Sequence, residues 1–298
     1  MVYINKYYTN FSFVLLISLS VMVFISCSKT SDNGPKPGQS LGIASIPNLR
    51  DMGGYKTTNG AIVSRGMVYR SNQPFNINAG DMLLLEKLNL KNVFDLRTAA
   101  EKNAGPDQLP AGVNYVWLDV LADVPASGPA NLTNLLSDPK QANTELGDGK
   151  VEALFKKAYR DCISLPSAKA AYRKLFLSLG NKDQLPVLFH CATGKDRTGW
   201  AAAALLTLLG VPKEVVIEDY MRSNDYILPM YDTLIQKFVA AGGSPSIPAA
   251  IFGVKKEYLD AAFDEVQKEY GSIEKYFSDG LGITLDQQTA LRKLYLTD

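Results

Sequence analysis

The strongest constraint on the fold is a strand, a short loop and a helix that follow one another near residue 190. The apolar run at 185–189 predicts a buried strand, and the alanine- and leucine-rich segment at 200–209 predicts a helix that ends at Gly210. The ten residues between them, 190–199, read H-C-A-T-G-K-D-R-T-G. A loop that connects a strand to a helix N-terminus presents backbone N–H groups and the positive end of the helix dipole. This order of elements predicts an anion-binding loop at one edge of a sheet.

Two side chains of this loop carry recognisable chemistry. Cys191 opens the loop and Arg197 closes it, with five residues between them. The helix dipole and the arginine both favour a thiolate over a thiol, which makes Cys191 a nucleophile. The guanidinium of Arg197 is a planar fork that can bind two oxygens of a phosphoryl group. A thiolate that faces a bound phosphate indicates covalent phosphoryl transfer.

Three segments together resemble a known enzyme family. The loop at 190–199 is similar to the signature loop of the cysteine-dependent protein tyrosine phosphatases, and the Lys-Asp before its arginine is typical of a bacterial, mycobacterial-type branch. Residues 48–55, N-L-R-D-M-G-G-Y, resemble the N-x-R-D-x-G-G motif of that branch. Residues 93–98, V-F-D-L-R-T, with Glu101 following, resemble its D-L-R-[ST] segment. The resemblance runs from about Asn48 into the last predicted helices.

The resemblance implies a role for each residue of the loop. Cys191 attacks the phosphorus and forms a phosphocysteine, and His190 orients the loop. The hydroxyl of Thr198 hydrogen-bonds the thiolate. The equatorial oxygens are held by the guanidinium of Arg197 and by backbone N–H groups of the loop. The phosphate-binding residues are therefore Ala192, Thr193, Gly194, Lys195, Asp196 and Arg197. Because the arginine and the amides supply the positive charge, the implied mechanism needs no metal and no cofactor.

Several aspartates compete for the role of proton donor to the leaving oxygen. Tyrosine phosphatases usually place an aspartate on a movable loop upstream, and Asp95, Asp119 and Asp123 occupy that part of this chain. The bacterial branch also carries an aspartate inside the loop, which here is Asp196. We rank Asp196 first and Asp119 or Asp123 next; the alternative for each is a solvated or capping carboxylate.

Lys195 bears on the choice between two classes of substrate. A lysine at this position is also found in the similar loop of phosphoinositide phosphatases, in which it contacts additional phosphates on the inositol ring. The alternative is a lysine that faces solvent and has no role in binding. The leading hypothesis is a phosphatase that acts on phosphorylated protein, mainly phosphotyrosine, with dual or broad specificity. The alternative substrate is a phosphoinositide or an inositol polyphosphate.

Two further classes are weighed against an enzyme of this kind. A phospho-ligand binding module that has lost catalysis would not need the intact Cys191 and Arg197. A sulfurtransferase also uses a cysteine loop, but the arginine and the Thr198-Gly199 at the helix start fit phosphate better.

The composition excludes several classes of protein. The 298 residues carry a net charge of +1, which is not the basic field of a nucleic-acid-binding protein. His190 is the single histidine of the sequence, so neither a histidine-cluster metal site nor a separate Cys-His pair is available. The cysteines Cys27, Cys162 and Cys191 form no C-x-x-C pair. Cys162 lies in an amphipathic pattern that favours core packing over a resolving thiol.

The N-terminal segment resembles the signal of a bacterial lipoprotein. Residues 11–25 form an apolar run interrupted by serines, shorter than the ~20 residues of a membrane-spanning helix. Ser26 then precedes Cys27, which would become the lipidated N-terminus, although Phe24 stands where leucine is usual. An uncleaved anchor or a signal cut elsewhere is the alternative. We expect a signal peptide at 1–26, a flexible tether at 27–42 and a phosphatase domain at 43–298, exported and lipid-anchored to a bacterial membrane, periplasmic or at the cell surface.

Strands and helices alternate along the domain. Strands are predicted at 66–70, 93–96, 113–120 and 185–189, and helices at 81–88, 151–163, 168–179, 200–209, 213–221, 231–240, 255–270, 273–280 and 286–296. The expected fold class is α/β, a mostly parallel central sheet flanked by helices, of the cysteine-phosphatase type. Arg70, Asp95 and Cys191 lie at carboxyl ends of predicted strands and are expected to converge on one cleft. Residues 121–150 are expected to form a long loop that could contain one helical turn, and the loop is either a lid or binding loop or a mobile insertion.

Overall fold

The computed structural model of the chain describes residues 1–2, 34–124 and 129–297. Within them the strands are β1 (Arg50–Asp51), β2 (Ile62–Val63), β3 (Val68–Ser71), β4 (Asn92–Asp95), β5 (Asn114–Trp117), β6 (Val187–His190) and β7 (Leu296–Thr297). The α-helices are α1 (Ala79–Glu86), α2 (Ala99–Ala104), α3 (Pro139–Leu146), α4 (Lys150–Ser164), α5 (Pro166–Leu179), α6 (Arg197–Leu208), α7 (Lys213–Met221), α8 (Ser223–Ala240), α9 (Ser246–Phe252), α10 (Lys256–Glu269), α11 (Ile273–Lys275) and α12 (Leu285–Tyr295). Short 3-10 segments lie at Pro129–Ser137 and Lys182–Gln184, and a π-helical turn at Tyr276–Gly280. Cys27 and the predicted signal segment, apart from residues 1 and 2, lie outside the described residues.

The central sheet has the strand order β1-β3-β6-β4-β5. Strands β3, β6, β4 and β5 run parallel, and the edge strand β1 is antiparallel to β3. Strands β2 and β7 form a separate antiparallel pair. The register places Ser71, Asp95 and His190 side by side at the carboxyl ends of the parallel strands. The predicted α/β fold class, with a mostly parallel sheet, is confirmed.

Successive residues of the inner strands pack into two hydrophobic cores of unequal size, one on each face of the sheet. Phe94 and Phe189 face the larger core, which contains residues of α4, α5, α6 and later helices, whereas Val93 and Leu188 face the smaller one. This alternation is what strands buried on both faces require. The smaller core is closed by Leu85 of α1 and by the residues Ile43, Ile46 and Leu49 that precede β1. The inner strands of the sheet are therefore covered on both faces, whereas Tyr115 and Trp117 of the edge strand β5 are exposed.

Most predicted elements are confirmed to within a few residues, because their start and stop signals are local. The predicted capping box is present at the start of α2, where Thr98 and Glu101 exchange side-chain and backbone hydrogen bonds. Helix α7 has the predicted bounds. Helix α6 begins at Arg197, three residues earlier than predicted, since the loop runs directly into its first turn.

The prediction of a long loop at 121–150 is wrong. This segment contains the 3-10 stretch Pro129–Ser137 and helix α3, whose N-terminal N–H groups are capped by Asp138. Buried Ala142 and Leu146 give α3 its apolar face. Helix α9 was not predicted because it is only seven residues long, and α8 begins eight residues earlier than predicted, with Pro229 inside it.

The predicted tether at 27–42 contacts the domain before its end. The hydroxyl of Tyr226 donates to the carbonyl oxygen of Gly38 at 3.0 Å and accepts from the N–H of Ser40 at 3.1 Å. Ser40 also forms a β-bridge with Arg50. Contacts with the domain are therefore already present at Gly38, before Ile43. Among the described residues, no helix is both long and apolar enough to cross a membrane.

Candidate active site

The predicted anion loop lies between the end of β6 at His190 and the start of α6 at Arg197. Cys191 is the first residue after the strand, and its side chain is buried. Gly194 has a φ of +69°, and a Cβ there would lie 2.1 Å from the carbonyl oxygen of Ser71. Glycine alone tolerates both this left-handed conformation and this close approach to β3. The loop can therefore fold tightly over the sheet edge, with Cys191 and Arg197 at its two ends.

Glu101 holds the guanidinium of Arg197. Nη1 donates to Oε2 at 2.6 Å and Nη2 to Oε1 at 2.7 Å, and Nη1 also donates to the carbonyl oxygen of Leu96 at 3.3 Å. Burial alone would raise the pKa of Glu101, but the charge and hydrogen bonds of Arg197 lower it to about 2. An arginine has five N–H donors, and no described residue accepts from Nε–H or from the second Nη2–H. These two donors share one edge of the planar group, and that edge can bind a phosphoryl group.

Three consecutive carbonyl oxygens of the loop accept hydrogen bonds from donors outside it. The pairs are Ala192 O with Gln73 N (3.0 Å), Thr193 O with Asn48 Nδ2 (2.9 Å) and Gly194 O with Arg70 Nη2 (2.7 Å). In a planar trans peptide, the N–H that follows a carbonyl points to the opposite side. Because these carbonyls are held on the side of β3, the next three amides point away from it. They are among the amides that the sequence predicted to bind the equatorial oxygens.

Behind the loop, two buried arginines share one aspartate. Arg50 and Arg70 are Cα partners in the antiparallel pair of β1 and β3. Asp219 of α7 bridges them, with Oδ2 2.8 Å from Nη1 of Arg70 and Oδ1 3.4 Å from Nε of Arg50. Tyr55 donates its hydroxyl to the same carboxylate at 2.7 Å, and Arg50 donates to Oδ1 of Asn48. Burial, and then repulsion from Arg50, lower the pKa of Arg70 to about 10.

His190 and Asp95 belong to a second buried cluster. Nδ1 of His190 lies 3.2 Å from the carbonyl oxygen of Cys191, and Nε2 lies 3.0 Å from Oδ2 of Asp107. Arg97 donates to both carboxylate oxygens of Asp95, at 2.8 and 2.7 Å, and to Asp107 at 2.7 Å. Burial opposes the ionisation of Asp95, but the hydrogen bonds from Arg97 keep its pKa below the ordinary value. The cluster fixes the residue that precedes Cys191.

The same cluster has the donor atoms of a metal site. Single ligand atoms of Asp95, Asp107 and His190 lie within 4.8 Å of one another. The guanidinium of Arg97, however, already bonds both carboxylates. The group that these residues are arranged around is therefore an arginine.

Lys195 and Asp196 are paired on the face of the loop that contacts α4. Nζ of Lys195 donates to Oδ1 of Asp196 at 2.9 Å and lies 4.5 Å from the centre of the Phe155 ring. Tyr159 of α4 donates its hydroxyl to the same Oδ1 at 2.9 Å, and the hydroxyl of Tyr220 lies 2.7 Å from that of Tyr159. Lys195 is 2% exposed, so the alternative prediction of a solvent-facing lysine is wrong.

A cavity of about 180 Å³ borders this face of the loop. Its charged lining residues are Glu101, Lys195, Asp196 and Arg197, and its larger apolar and aromatic lining residues are Leu121, Phe155, Tyr159, Cys162, Tyr231, Ile251 and Phe252. The rings of Tyr231 from α8 and Phe252 from α9 are stacked, with centroids 4.0 Å apart. The cavity thus combines charged loop residues on one side with aromatic and apolar walls.

The aspartates predicted as proton donors lie in different environments. Asp196 lines the cavity. Asp119 accepts two backbone N–H groups at 3.0 and 3.1 Å, and burial raises the pKa of its carboxyl group. Asp123 accepts the N–H of Ser167 at the start of α5, and Asp95 is bound by Arg97. As proton donor, Asp196 is favoured by its position at the cavity, and Asp119 is favoured by the raised pKa of its carboxyl group.

Thr198 and Cys162 are both buried. Oγ1 of Thr198 has no hydrogen-bond partner among the described residues, so the predicted bond to the Cys191 sulfur is not observed. Cys162 lies in the larger core, which confirms its predicted packing role. Burial raises the pKa of the Cys162 thiol to about 12, so it is not a nucleophile at neutral pH.

Four residues of the site have contacts that the sequence did not reveal: Asn48, Glu101, Tyr159 and Asp219. The first two lie in segments that resemble family motifs, which was the available signal. Tyr159 and Asp219 lie within helices, and no local pattern separates them from ordinary helix residues. Their contacts with the loop depend on how the helices pack.

Comparisons with known proteins agree with the geometry. A family model described as "Tyrosine phosphatase family" matches residues 41–297. The chain is 30% identical to a Cupriavidus necator protein whose name is "Putative tyrosine-protein phosphatase", over 86% of this chain and 88% of that one. It is 28% identical to the triple specificity protein phosphatase PtpB of Mycobacterium tuberculosis, over 78% of this chain and 90% of that one. It is 29% identical to a tyrosine-protein phosphatase of Nostoc commune, over 48% and 43% of the two chains. The predicted family resemblance is confirmed.

Proposed function

This chain belongs to the tyrosine phosphatase family, and we propose that it hydrolyses phosphate monoesters through a phosphocysteine intermediate on Cys191. The observation that carries the proposal is the placement of the Cys191 thiol and the Arg197 guanidinium at the two ends of one loop, where β6 meets α6. The thiolate sulfur forms a bond to phosphorus as the ester P–O bond breaks, and the leaving oxygen takes a proton. Water then attacks the phosphorus, the S–P bond breaks, and inorganic phosphate leaves.

Arg197 binds the transferring group through the edge that Glu101 leaves open. The bidentate contact with Glu101 fixes the plane of the guanidinium before substrate arrives. Nε–H and the remaining Nη2–H then meet two equatorial oxygens, while the loop amides meet the others. Since charge builds on these oxygens in the transition state, donors held in place beforehand stabilise it without reorganisation. We expect turnover to survive a chelator and to be inhibited by vanadate.

Asp196 is the proposed proton donor to the leaving oxygen, because it lines the cavity beside the loop. Its Oδ1 accepts hydrogen bonds from both Tyr159 and Lys195, so Oδ2 is the oxygen left to face the leaving group. Asp119 is the competing donor, supported by the raised pKa of its carboxyl group. A leaving-group series distinguishes the two, as described below.

Phosphotyrosine in proteins is the substrate that the cavity supports best. Its aromatic and apolar walls suit a phenyl ring, and its charged floor suits a phosphate. The buried ammonium of Lys195 supports a second candidate, a phosphoinositide or inositol polyphosphate, because it could meet another phosphate on the ring. The name of the M. tuberculosis relative, a triple specificity phosphatase, supports breadth of this kind.

The test is turnover of a chromogenic aryl phosphate. Cys191→Ser should abolish turnover while phosphate still binds, because a hydroxyl is a far poorer nucleophile at neutral pH. Arg197→Ala should lose both binding and rate. Full activity of Cys191→Ser would refute the phosphocysteine. A panel of phosphotyrosine, phosphoserine and inositol phosphates, run with Lys195→Ala, separates the substrates: a larger loss on inositol phosphates than on phosphotyrosine supports the second candidate.

Export and lipid attachment at Cys27 are part of the proposal and are supported by the sequence. The apolar run at 11–25, followed by Ser26-Cys27 and a polar segment, motivates it. Cys27→Ala should release the protein from the membrane fraction or leave it as an unprocessed precursor. A variant that stays in the membrane with a correctly cut N-terminus would point to another anchor.

A further inference from the structure

The orientation of the loop peptides depends on two buried side chains outside the loop. Asn48 Nδ2 binds the carbonyl oxygen of Thr193, and Arg70 Nη2 binds that of Gly194. A peptide that rotated about its own axis would lose this bond and would turn its N–H towards β3. Each donor therefore selects the peptide orientation in which the following N–H faces away from β3.

The charges around these donors are arranged at a cost to fold stability. Arg50 and Arg70 lie directly opposite each other in the β1–β3 pair, where like charges repel. Both are fully buried, and Asp219 is the carboxylate that they share. A buried ion pair is often less stabilising than an apolar pair of the same volume. The contacts that the two arginines make explain their presence at this place better than a gain in fold stability does.

The contacts all converge on the loop. Arg50 donates to Oδ1 of Asn48 and to the backbone oxygen of Asp219, so it fixes the amide group whose Nδ2 reaches Thr193. Asp219 accepts a hydrogen bond from Nη1 of Arg70, which leaves Nη2 free to donate to the carbonyl oxygen of Gly194. With two cations and one anion, the group also leaves a positive charge beneath a loop that receives a phosphate.

We infer that Asn48 and Arg70 are positioning residues that set the oxyanion-binding amides of Gly194 and Lys195, and that Arg50 and Asp219 hold them in place. The inference rests on the proposed function for the identity of the oxyanion. None of the four side chains is more than 3% exposed, so they act through the loop rather than on substrate.

The test replaces Asn48 in two ways. Asn48→Asp keeps the shape and the acceptor for Arg50 but cannot donate to the carbonyl of Thr193; Asn48→Leu removes the donor without adding charge. Loss of one oxyanion donor typically lowers kcat by about 10²–10³-fold, so both variants should lower kcat by at least about tenfold per folded molecule. The inhibition constant for vanadate should rise in parallel. Arg70→Met should do the same through Gly194.

The matched control is Tyr295→Phe, which removes a different buried hydrogen bond, from the Tyr295 hydroxyl to the carbonyl oxygen of Leu179 at 2.7 Å. It should lower Tm and leave kcat per folded molecule unchanged. A loss in the Asn48 variants that vanishes after correction for the folded fraction would overturn the inference. A loss confined to Asn48→Asp would assign the effect to its charge and would overturn it as well.

The experiment separates this inference from the proposed function. Turnover by the wild-type protein tests the function, and the ratio of variant to wild type tests the positioning. If the wild-type protein does not turn over, the rise in Tm with inorganic phosphate still reports on the loop. A rise that is equal in wild type and both Asn48 variants would then count against the inference.

Discussion

The two sides of the loop use charge differently. On the cavity side, charges are paired one to one: Arg197 with Glu101 and Lys195 with Asp196, whose carboxylate side chains are 19% and 27% exposed. On the sheet side, two arginines share Asp219, and none of these side chains is more than 3% exposed. On the cavity side, Glu101 can stay bound to Arg197 while Lys195 exchanges Asp196 for an incoming phosphate; the buried set on the sheet side has no such freedom.

This difference separates the groups that we propose to contact the substrate from the groups that hold the loop in place. If Lys195 turns towards an incoming anion, that anion replaces its partner and water can solvate the partly exposed carboxylate of Asp196, so the exchange should cost little. A buried set cannot release a charge without leaving another unpaired, which is strongly unfavourable. The cavity side should therefore govern rate and specificity, and the sheet side should govern stability together with the shape of the loop.

The largest effect is expected from Asp196→Asn on the cavity side. If Asp196 protonates the leaving oxygen, the rate should fall by about 10²–10⁴-fold for poor leaving groups and little for an activated aryl phosphate. The measurement is kcat/KM across a series of leaving groups. If that dependence appears in Asp119→Asn or Asp123→Asn instead, the proton comes from the upstream segment and the cavity side only binds.

The next effect is expected on stability, from Asp219→Asn on the sheet side. Removing the shared carboxylate leaves two buried guanidinium groups without an anion, so unfolding free energy should fall by about 3–5 kcal/mol. Urea unfolding measures it. The control is Asp161→Asn, which breaks the surface pair with Lys157 and should cost less than about 1 kcal/mol. Equal losses in the two variants would contradict the distinction between the two sides.

A third effect is expected from Glu101→Gln, which removes the bidentate partner of Arg197. The guanidinium should lose its fixed plane, and kcat for an aryl phosphate should fall by about 10²-fold, as for other small misplacements of a reacting group. Glu145→Gln, at an exposed carboxylate bonded to Gln141, is the matched control and should have wild-type activity. Unchanged kcat in Glu101→Gln would falsify the role of the pair.

The pair of Glu101 and Arg197 also predicts how the stability of the fold depends on pH in the acid range. The pKa of Glu101 is about 2 in the folded protein, against an ordinary value of 4.5. A lowered pKa in the folded state stabilises it fully above about pH 4.5, and this stabilisation is lost as the pH falls towards 2. The difference in unfolding free energy between wild type and Glu101→Gln should therefore shrink between pH 5 and pH 2. A constant difference over that range would contradict the shift.

The smallest effect is expected from Tyr159→Phe. It removes one hydrogen bond to Asp196, worth about 1 kcal/mol, or roughly fivefold in rate. If Tyr159 orients Asp196, the loss should be confined to poor leaving groups, as for Asp196→Asn. A uniform loss over the series, or none, would place Tyr159 in packing alone.

Much of the fold could be predicted because its signals are local. The apolar run at 185–189 with the alanine-rich segment after it predicted β6 and α6, and the Thr98–Glu101 capping box predicted the start of α2. Segment 121–150 was mispredicted because its proline, glycine and polar content hid α3, which is stabilised by a cap and two buried side chains. Pro229 similarly hid the first turns of α8.

For the site, the sequence by itself determined the proposed nucleophile, the arginine and the loop between them, because all seven residues are consecutive. Only the tertiary structure decided what holds that loop. Asn48 lies 145 residues before Thr193, and Glu101 lies 96 residues before Arg197. Hydrogen bonds act over about 3 Å and need correct angles, so such pairs form only after strand order, register and helix packing have brought distant segments together. The charge of Lys195 was visible in the sequence, but its burial against Phe155 was not.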